Sequence, residues 1–262
     1  MGMNYTKNYL IFNRKKIEYF TFGNGKREVL CLQGWGLPPD IWFKFIEKFQ
    51  TNDDSLKFII IDLGSIDVGT EISISNFAKL IAGMASGIEN QSPYAIIGHS
   101  MGVTIMFEIM KLHLMSPENI VIVDSGTRSS KRNGEIIKLV ESKNFKTLMF
   151  RNIVKSFFVN ISEDDLNSLM DKIKRYNIDE LAKQLILISS FDYSSFVEKI
   201  KTPTLIFFGK NDKNRSLEEV TELNQKIANS KLVILQNSAH CPMYEEPEKF
   251  AFTLLNFLNH HV

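Results

Sequence analysis

The sequence around Ser100 places a serine between two glycines, at the point where two hydrophobic patterns meet. An apolar run at 94–97 precedes Gly98, and apolar residues at helical spacing begin just after Gly102. The segment Gly98-His-Ser-Met-Gly102 has G-x-S-x-G spacing, which is typical of a sharp turn from a strand into a helix. Strand and helix approach so closely at such a turn that glycine is expected on both sides of the serine. The segment therefore predicts a strand–turn–helix unit that presents Ser100 as a nucleophile.

Short apolar runs and helical patterns alternate along most of the chain. Strands that alternate with helices predict parallel pairing, with right-handed connections that place helices on both faces of the sheet. The first two runs flank Asn13-Arg14 and predict a hairpin instead. The predicted fold class is α/β, with a mostly parallel twisted sheet flanked by helices. The eight predicted strands are 9–12, 16–21, 29–33, 56–61, 94–97, 119–123, 203–208 and 232–235.

The alternation stops after the sixth predicted strand and resumes near residue 203. The intervening residues 127–190 carry helical patterns without a convincing strand pattern. We therefore predict an all-helical cap (127–190) inserted into one core, which is made of 1–126 and 191–262. The predicted cap helices are 134–142, 145–157, 163–175 and 178–188.

Composition and charge limit the partners of the chain. The 262 residues are 44% hydrophobic and 23% charged, which suits a sizeable globular core. A net charge of +1 gives no reason to expect nucleic acid, and no apolar run reaches the ~18 residues of a membrane-spanning helix. No metal-ligand spacing and no glycine-rich phosphate loop is present, so neither metal nor cofactor is predicted. Two cysteines and the lack of a signal-peptide pattern predict a cytoplasmic protein.

A serine nucleophile needs a base, and the base needs a carboxylate that orients it. After a G-x-S-x-G turn these residues follow in the order serine, acid, histidine. Asp212 follows the predicted strand 203–208, and His240 follows the strand at 232–235. Both positions lie beyond the carboxyl end of a parallel strand, where catalytic groups gather. We predict Asp212 as the acid and His240 as the base, with Asp124, at another strand end, as the alternative acid.

The negative charge that develops on the substrate oxygen needs two N–H donors. The N–H of Met101 lies at the start of the helix after Ser100, where the helix dipole supports it. The loop Gln33-Gly34-Trp35-Gly36 follows a buried strand and can supply the N–H of Trp35. His99, enclosed in the turn, is expected to support the site rather than to act as its base.

These features resemble the serine α/β-hydrolase superfamily, in its lidded branch. The residues that carry the resemblance are Gly34-Trp35-Gly36, Trp42, Gly98-His-Ser-Met-Gly102, Asp212 and Ser238-Ala-His240. Within that branch the chain is similar to the pimeloyl-carrier-protein methyl ester carboxylesterases, which implies cleavage of a carboxylic ester through an acyl-enzyme. The same turn sequence is common in type II thioesterases and in carbon–carbon bond hydrolases. A non-catalytic ligand-binding or signalling protein on the same fold is a further alternative.

The sequence departs from the pattern of that superfamily at two places. Gln33 stands where the superfamily usually has histidine, next to the predicted oxyanion loop. The segment Asp62-Leu-Gly-Ser-Ile-Asp67 replaces the usual Asp-x-Pro-Gly-x-Gly. We expect altered hydrogen bonding at the first place and a differently shaped loop at the second.

The cap supplies two indications about the substrate. Its apolar residues can pack the cap onto the core, and some can line a pocket for an apolar acyl group. The predicted pocket residues are Trp35, Leu37, Phe145, Met149, Phe157 and Met243. The front of the cap holds eight basic residues against two acidic ones, which indicates either a solvated face or a docking face for an acidic acyl carrier protein. The basic residues are Arg128, Lys131, Arg132, Lys138, Lys143, Lys146, Arg151 and Lys155.

Overall fold

The computed structural model of the chain describes residues 5–12, 15–51, 53, 55–67, 73–88, 92–129 and 147–260. Within these residues eight strands form one sheet. The strands are β1 (Tyr5–Phe12), β2 (Lys15–Phe22), β3 (Arg27–Leu32), β4 (Leu56–Ile61), β5 (Ala95–His99), β6 (Asn119–Val123), β7 (Thr204–Gly209) and β8 (Ser230–Leu235).

The strands lie in the order β1-β2-β4-β3-β5-β6-β7-β8. In this order, all neighbouring strands from β4 through β3 to β8 pair in parallel. The pairs β1 with β2 and β2 with β4 are antiparallel. The predicted mostly parallel sheet with an N-terminal hairpin is confirmed. Because parallel strands end at the same edge, β5, β7 and β8 deliver the residues that follow them to one place.

Helices follow most of the strands, as the alternating pattern predicted. They are α1 (Phe43–Gln50), α2 (Ile74–Ile88), α3 (Met101–Lys111), α4 (Thr147–Lys155), α5 (Glu163–Ile173), α6 (Ile178–Leu187), α7 (Ser194–Val197), α8 (Leu217–Lys226), α9 (Pro242–Glu245) and α10 (Pro247–His260). Helices α4, α5 and α6 lie in the predicted cap, and the predicted helix at 134–142 lies outside the described residues. None of the described helices has the length and apolar character needed to span a membrane.

Helix α3 ends earlier than its hydrophobic pattern predicts. The pattern at 103–115 indicates a helix that continues almost to Pro117, but the structure ends it at Lys111. His113 adopts a left-handed conformation with φ of 54°, and the N–H of Leu114 donates to the Ile109 carbonyl at 3.0 Å. This is a helix-ending hydrogen-bond pattern that usually places glycine at the left-handed position. Because a histidine occupies that position here, the sequence carries no ordinary stop signal.

Two neighbouring strands in the interior of the sheet, β5 and β6, lead to Ser100 and Asp124. All residues of β5 and of β6 are buried, as expected for strands that are covered on both faces. In the cap, the Ser162 hydroxyl accepts the N–H of Asp165 at 3.0 Å and caps α5. The turns after β5 and β7 therefore start from fully buried strands, whereas β8 is fully buried only at its last residue, Leu235.

Candidate active site

Ser100 lies in the turn between β5 and α3. Its φ of 50° and ψ of −109° are a combination that residues with a side chain seldom adopt, so the turn is strained. A Cβ atom at Gly102 would lie 1.9 Å from the Leu32 carbonyl oxygen, and one at Gly98 would lie 2.8 Å from the Val103 nitrogen. Only glycine fits at these two positions, which explains the G-x-S-x-G spacing.

The ring of His99 links two loops of the site. Its Nδ1 accepts the N–H of Gly34 at 3.1 Å, and its Nε2 donates to the His240 carbonyl oxygen at 2.7 Å. These partners assign the ring proton to Nε2. Complete burial lowers the pKa of His99 well below its usual value, so the ring stays neutral. His99 therefore ties the loop after β3 to the loop that carries His240, and it has no free nitrogen to act as a base.

Two backbone N–H groups near Ser100 have no hydrogen-bond acceptor among the described residues. One belongs to Trp35, which lines the same cavity as Ser100, and the other to Met101, the first residue of α3. They are the two groups that the sequence predicts as oxyanion donors. Unpaired donors at this place suit a developing negative charge, because no existing hydrogen bond has to break.

His240 and Asp212 form a hydrogen-bonded pair from the loops after β8 and β7. Nδ1 of His240 donates to Oδ2 of Asp212 at 2.8 Å, and Oδ1 accepts the N–H of Asn214 at 2.7 Å. This arrangement leaves Nε2 of His240 available to accept a proton. Ser100 and His240 line one cavity, but in the part of the chain that the structure describes their side chains are not hydrogen-bonded to each other. Catalytic hydrogen bonds of this kind often tighten only around a substrate.

Asp124, the alternative acid, lies beside this pair. It follows β6 with φ of 46°, and its Oδ1 accepts the N–H of Gly209 at 2.9 Å. Burial, together with the nearby charge of Asp212, raises the pKa of the Asp124 carboxyl well above its usual value. The carboxyl that is bonded to His240 is therefore that of Asp212, the predicted acid, and not that of Asp124.

The ligand atoms of Asp124, Asp212 and His240 lie within 4.8 Å of one another, close enough to surround a cation. However, Nδ1 of His240 and Oδ2 of Asp212 already share a hydrogen bond. An uncharged Asp124 would also contribute little to holding a metal ion. An acid–base pair with a buried third carboxyl explains the cluster better.

Residues of the cap contact both loops of the site. The Phe157 carbonyl accepts the N–H of His240 at 2.9 Å, and the two rings lie 5.3 Å apart. The indole N–H of Trp35 donates to the Leu181 carbonyl in α6 at 2.6 Å, and the Trp35 ring is perpendicular to that of Phe150 at 5.4 Å. The cap therefore contacts both the loop that carries His240 and the loop that carries Trp35.

The cavity at Ser100 is narrow, with about 30 Å³ of free volume. Of the predicted pocket residues, Trp35, Leu37 and Phe157 line it. Met243 is fully buried in α9 and is not one of the cavity-lining residues that the structure describes. Phe145 and the side chain of Met149 lie outside the described part of the chain.

Four further residues line the cavity that the sequence reasoning did not predict. Leu185 and Ile188 project from the end of α6, and Asn214 and Arg215 follow Asp212. The spacing of Leu185 and Ile188 places them on one helix face, but many apolar pairs in the cap share that spacing. For Arg215, closeness to the predicted acid is the one signal that the sequence offers.

The first departure from the superfamily pattern, Gln33, is buried, and the second, residues 62–67, is buried except at Ser65 and Asp67. Gln33 is 0% exposed, and neither of its amide atoms has a partner among the described residues. Asp62 accepts the hydroxyl of Tyr176 at 2.7 Å, and the Gln184 side chain donates to the Leu63 carbonyl at 2.8 Å. Burial raises the pKa of Asp62 to about 6. The replaced loop is therefore held by the cap residues Tyr176 and Gln184.

Three of the eight basic residues at the front of the cap lie in the described residues, and all three are paired. Arg128 pairs with Asp192 at 3.2 Å, and Arg151 and Lys155 both pair with Glu163 at 2.6 Å. The other five lie outside the described residues. Two carboxylates therefore offset part of the charge of the three described basic residues.

Comparison with known proteins supports the fold and a group of relatives. No protein-family model matches the chain. The chain is 23% identical over 260 residues to monoacylglycerol lipase ABHD6 of Rattus norvegicus, covering 89% of this chain and 75% of that protein. It is 24% identical over 255 residues to the pimeloyl-[acyl-carrier protein] methyl ester esterase of Wigglesworthia glossinidia brevipalpis, covering 90% and 95%. The solved structure of the esterase EaEST from Exiguobacterium antarcticum superimposes with a TM-score of 0.84 at 19% identity, covering 99% of this chain and 100% of that one. The chain thus has the α/β-hydrolase fold that its motifs predicted, and over most of its length it is similar in sequence to esterases and lipases.

Proposed function

We propose that the protein is a serine hydrolase that cleaves carboxylic esters through an acyl-enzyme. The observation that carries this proposal is one cavity lined by Ser100, on its strained turn, and by His240, hydrogen-bonded to Asp212. Ser100 Oγ attacks the ester carbonyl carbon while Nε2 of His240 accepts the hydroxyl proton. Asp212 stabilises the imidazolium, which then protonates the departing alcohol. Water activated by His240 hydrolyses the acyl-enzyme and restores Ser100.

The unpaired N–H groups of Trp35 and Met101 support this mechanism. Both can bind the oxyanion of the tetrahedral intermediate without giving up another hydrogen bond. The loss of one such donor lowers kcat by about a hundred- to a thousandfold in a serine protease. The bond from Gly34 to His99 holds the loop that carries Trp35, so the two donors are positioned before the substrate arrives.

The substrate class that we propose is a small ester with an apolar acyl group. Leu37, Phe157, Leu185 and Ile188 give the cavity an apolar wall. Two relatives are named for acyl esters, a monoacylglycerol and a carrier-bound methyl ester. The proposal that the substrate is bound to a carrier protein has the names of relatives as its support. The cap adds little to it, because the described basic residues already have acidic partners.

We also propose that the protein works in the cytoplasm. Its two cysteines, Cys31 and Cys241, are buried and unpaired with each other, which fits a reducing compartment.

The first test is covalent labelling with a fluorophosphonate, read by intact mass. We expect one label per wild-type chain and none on Ser100→Ala, because only a serine activated by its base attacks the reagent. The matched control Ser190→Ala removes an exposed hydroxyl outside the cavity and should label like the wild type. Circular dichroism of the variants separates lost chemistry from lost structure.

Matched substrates then separate the alternatives. Hydrolysis of an acyl ester at least as fast as that of its thioester supports the proposal, whereas thioester turnover alone indicates a type II thioesterase. Cleavage of a vinylogous diketone without ester hydrolysis indicates a carbon–carbon bond hydrolase. Failure to label Ser100, combined with tight retention of a ligand, would overturn the enzymatic proposal in favour of a binding protein.

A further inference from the structure

A buried arginine forms part of the cavity wall near Ser100. Arg215 lies three residues after Asp212, just before α8, and only 7% of its surface is exposed. A guanidinium is always charged, and arginine is seldom buried unless it is paired. The question is therefore which groups bind the Arg215 guanidinium and balance its charge.

The partners of Arg215 use only part of its donor capacity. Nη1 donates to the Arg128 carbonyl at 2.7 Å and makes a long contact of 3.4 Å with Oε1 of Glu219. Nε and Nη2 have no acceptor among the described residues. A guanidinium carries five N–H donors in a rigid fork, so most of the donors remain available.

The acidic residues around Arg215 compensate its charge only in part. The Glu219 side chain is 41% exposed, and its Oε2 also accepts the N–H of Ser216 at 2.8 Å. Asp212 is near, but its two oxygens bond His240 and Asn214. Burial raises the pKa of Asp124, the remaining acid nearby, well above its usual value, which weakens its ability to balance the charge of the guanidinium. The guanidinium thus keeps positive charge and free donors in a residue that lines the cavity.

The guanidinium is also held in place. A Cβ atom at Gly126 would come within 3.2 Å of Nη1, so the glycine leaves just enough room for the arginine. Together with the bond to the Arg128 carbonyl, this contact fixes one end of the fork. A charged group that is fixed before binding loses little conformational entropy when it meets its ligand.

We propose that Arg215 binds a carboxylate carried by the substrate, so that the enzyme prefers acidic esters to neutral ones. This inference rests on the proposed ester hydrolysis and names the class of its substrate. Nε and Nη2 would donate two parallel hydrogen bonds to the two carboxylate oxygens, the geometry in which arginine recognises such groups. The carboxylate can lie on the acyl part or on the alcohol part of the ester, and both place the same chemistry at Arg215.

Three esters of similar length distinguish these cases. Monomethyl adipate carries the charge on its acyl part, the hexanoyl ester of glycolate carries it on the alcohol part, and methyl hexanoate is neutral. The measured quantity is the ratio of kcat/KM for each charged ester to that for methyl hexanoate. We expect a ratio above one for one of the charged esters, and a fall of about ten- to a hundredfold in Arg215→Gln, mainly through KM. The charged ester that shows this fall identifies the part of the substrate that reaches Arg215.

The matched control is Lys213→Gln, which removes the same charge from an exposed position in the same loop and should leave the ratio unchanged. If Arg215→Gln lowers kcat/KM for all three esters by the same factor, Arg215 is a structural partner of the acidic residues and the inference is wrong. A ratio that does not change in Arg215→Gln also overturns it.

Equilibrium binding separates this inference from the proposed reaction. Adipate, or the hexanoyl ester of glycolate if the charge lies on the alcohol part, should bind to Ser100→Ala, and adding Arg215→Gln should weaken that binding about tenfold or more. This result would support a carboxylate site even if no ester were hydrolysed, in which case the proposed function alone would fail. If neither ligand binds, or if the binding is the same with Arg215→Gln, the carboxylate site is rejected.

Discussion

The nucleophile side and the base side of the site are built in different ways. The nucleophile side consists of residues 98–102 with the facing loop 33–36, and close backbone packing shapes it. A Cβ atom at Gly102 or Gly34 would come within 3 Å of its neighbours. The base side consists of Asp212, His240 and the neighbours Asp124 and Arg215, which come from loops after different strands and bury several ionisable groups.

Because of this difference, we expect the two sides to respond differently to pH and to mutation. The nucleophile side should tolerate changes of pH but not an added methyl group, because its geometry depends on contact distances. The activity that the base side supports should depend on pH, because it depends on which carboxyl holds a proton. Asp124 and Asp212 are too close to be charged together without cost. His99 joins the sides by bonding Gly34 on one and His240 on the other.

The largest expected effect tests which carboxyl serves the base. Asp212→Asn should lower kcat by about ten-thousandfold, because the amide cannot hold the His240 tautomer or stabilise the imidazolium. Asp124→Asn should change kcat by less than about tenfold, because asparagine resembles the neutral carboxyl that burial enforces. Steady-state kinetics on one ester, with circular dichroism as the structural control, measures both. A larger loss in Asp124→Asn than in Asp212→Asn would exchange the roles of the two acids.

The next effect tests the contact distances of the nucleophile side. Gly102→Ala should lower the free energy of unfolding by about 3 kcal/mol or more, because its Cβ would lie 1.9 Å from the Leu32 carbonyl oxygen. The matched control is Gly87→Ala in α2, where the new Cβ would meet Leu10 at an ordinary 3.5 Å. Helix propensity should leave that variant unchanged or stabilised by up to about 1 kcal/mol. Urea unfolding compares the two, and equal stability of both variants would refute close packing as the reason for Gly102.

The two sides also differ in how far the sequence predicts them. The determinants of the nucleophile side are contiguous, since the spacing of Gly98, Ser100 and Gly102 encodes the turn directly. On the base side the strand pattern predicts Asp212 and His240, because each follows the carboxyl end of a strand. The raised pKa of Asp124 and the position of Arg215 depend on burial by distant segments, so no local pattern reveals them.

For the fold as well, features encoded by neighbouring residues are predictable from the sequence and features that depend on distant contacts are not. The order of strands and helices is predictable because hydrophobic periodicity is a local property of the chain. The end of α3 is not, because His113 takes the left-handed position that glycine usually occupies. Contacts of the cap with the site, such as Phe157 with the His240 backbone, join positions 83 residues apart and leave no periodic signal.

A smaller effect tests the link between the two sides. His99→Phe keeps a ring but leaves the N–H of Gly34 and the carbonyl of His240 without their partner. The free energy of unfolding should fall by about 1–3 kcal/mol, and kcat should fall about tenfold as both loops lose their restraint. His99→Gln, which retains a donor and an acceptor, should recover part of both losses. Identical kinetics in His99→Phe and the wild type would show that the sides hold their positions independently.

The smallest effect concerns Asp62, an ionisable group that is buried like those of the base side but lies outside it. Its pKa rises from 3.8 in the unfolded chain to about 6 in the folded protein because of burial, although Tyr176 and Arg175 oppose the shift. Between these values the folded protein binds more protons than the unfolded chain, so the free energy of unfolding falls as pH rises through this range. The carboxyl of Asp62 therefore stabilises the fold below about pH 4, and this contribution is lost above about pH 6.

Asp62→Asn should remove this pH dependence, since the amide stays neutral and can still accept the Tyr176 hydroxyl. The variant should be more stable than the wild type by about 1–2 kcal/mol at pH 8 and nearly equal to it at pH 4. Urea unfolding at several pH values measures the difference. A variant that is less stable at pH 8 would show that the ion pair of Asp62 with Arg175 outweighs the cost of burying the charge. Since Asp62 is not among the residues that line the cavity at Ser100, kcat should stay unchanged at pH 8. A loss of kcat would mean that the cap contact at Asp62 also restrains the base side, which would weaken the distinction between the two sides.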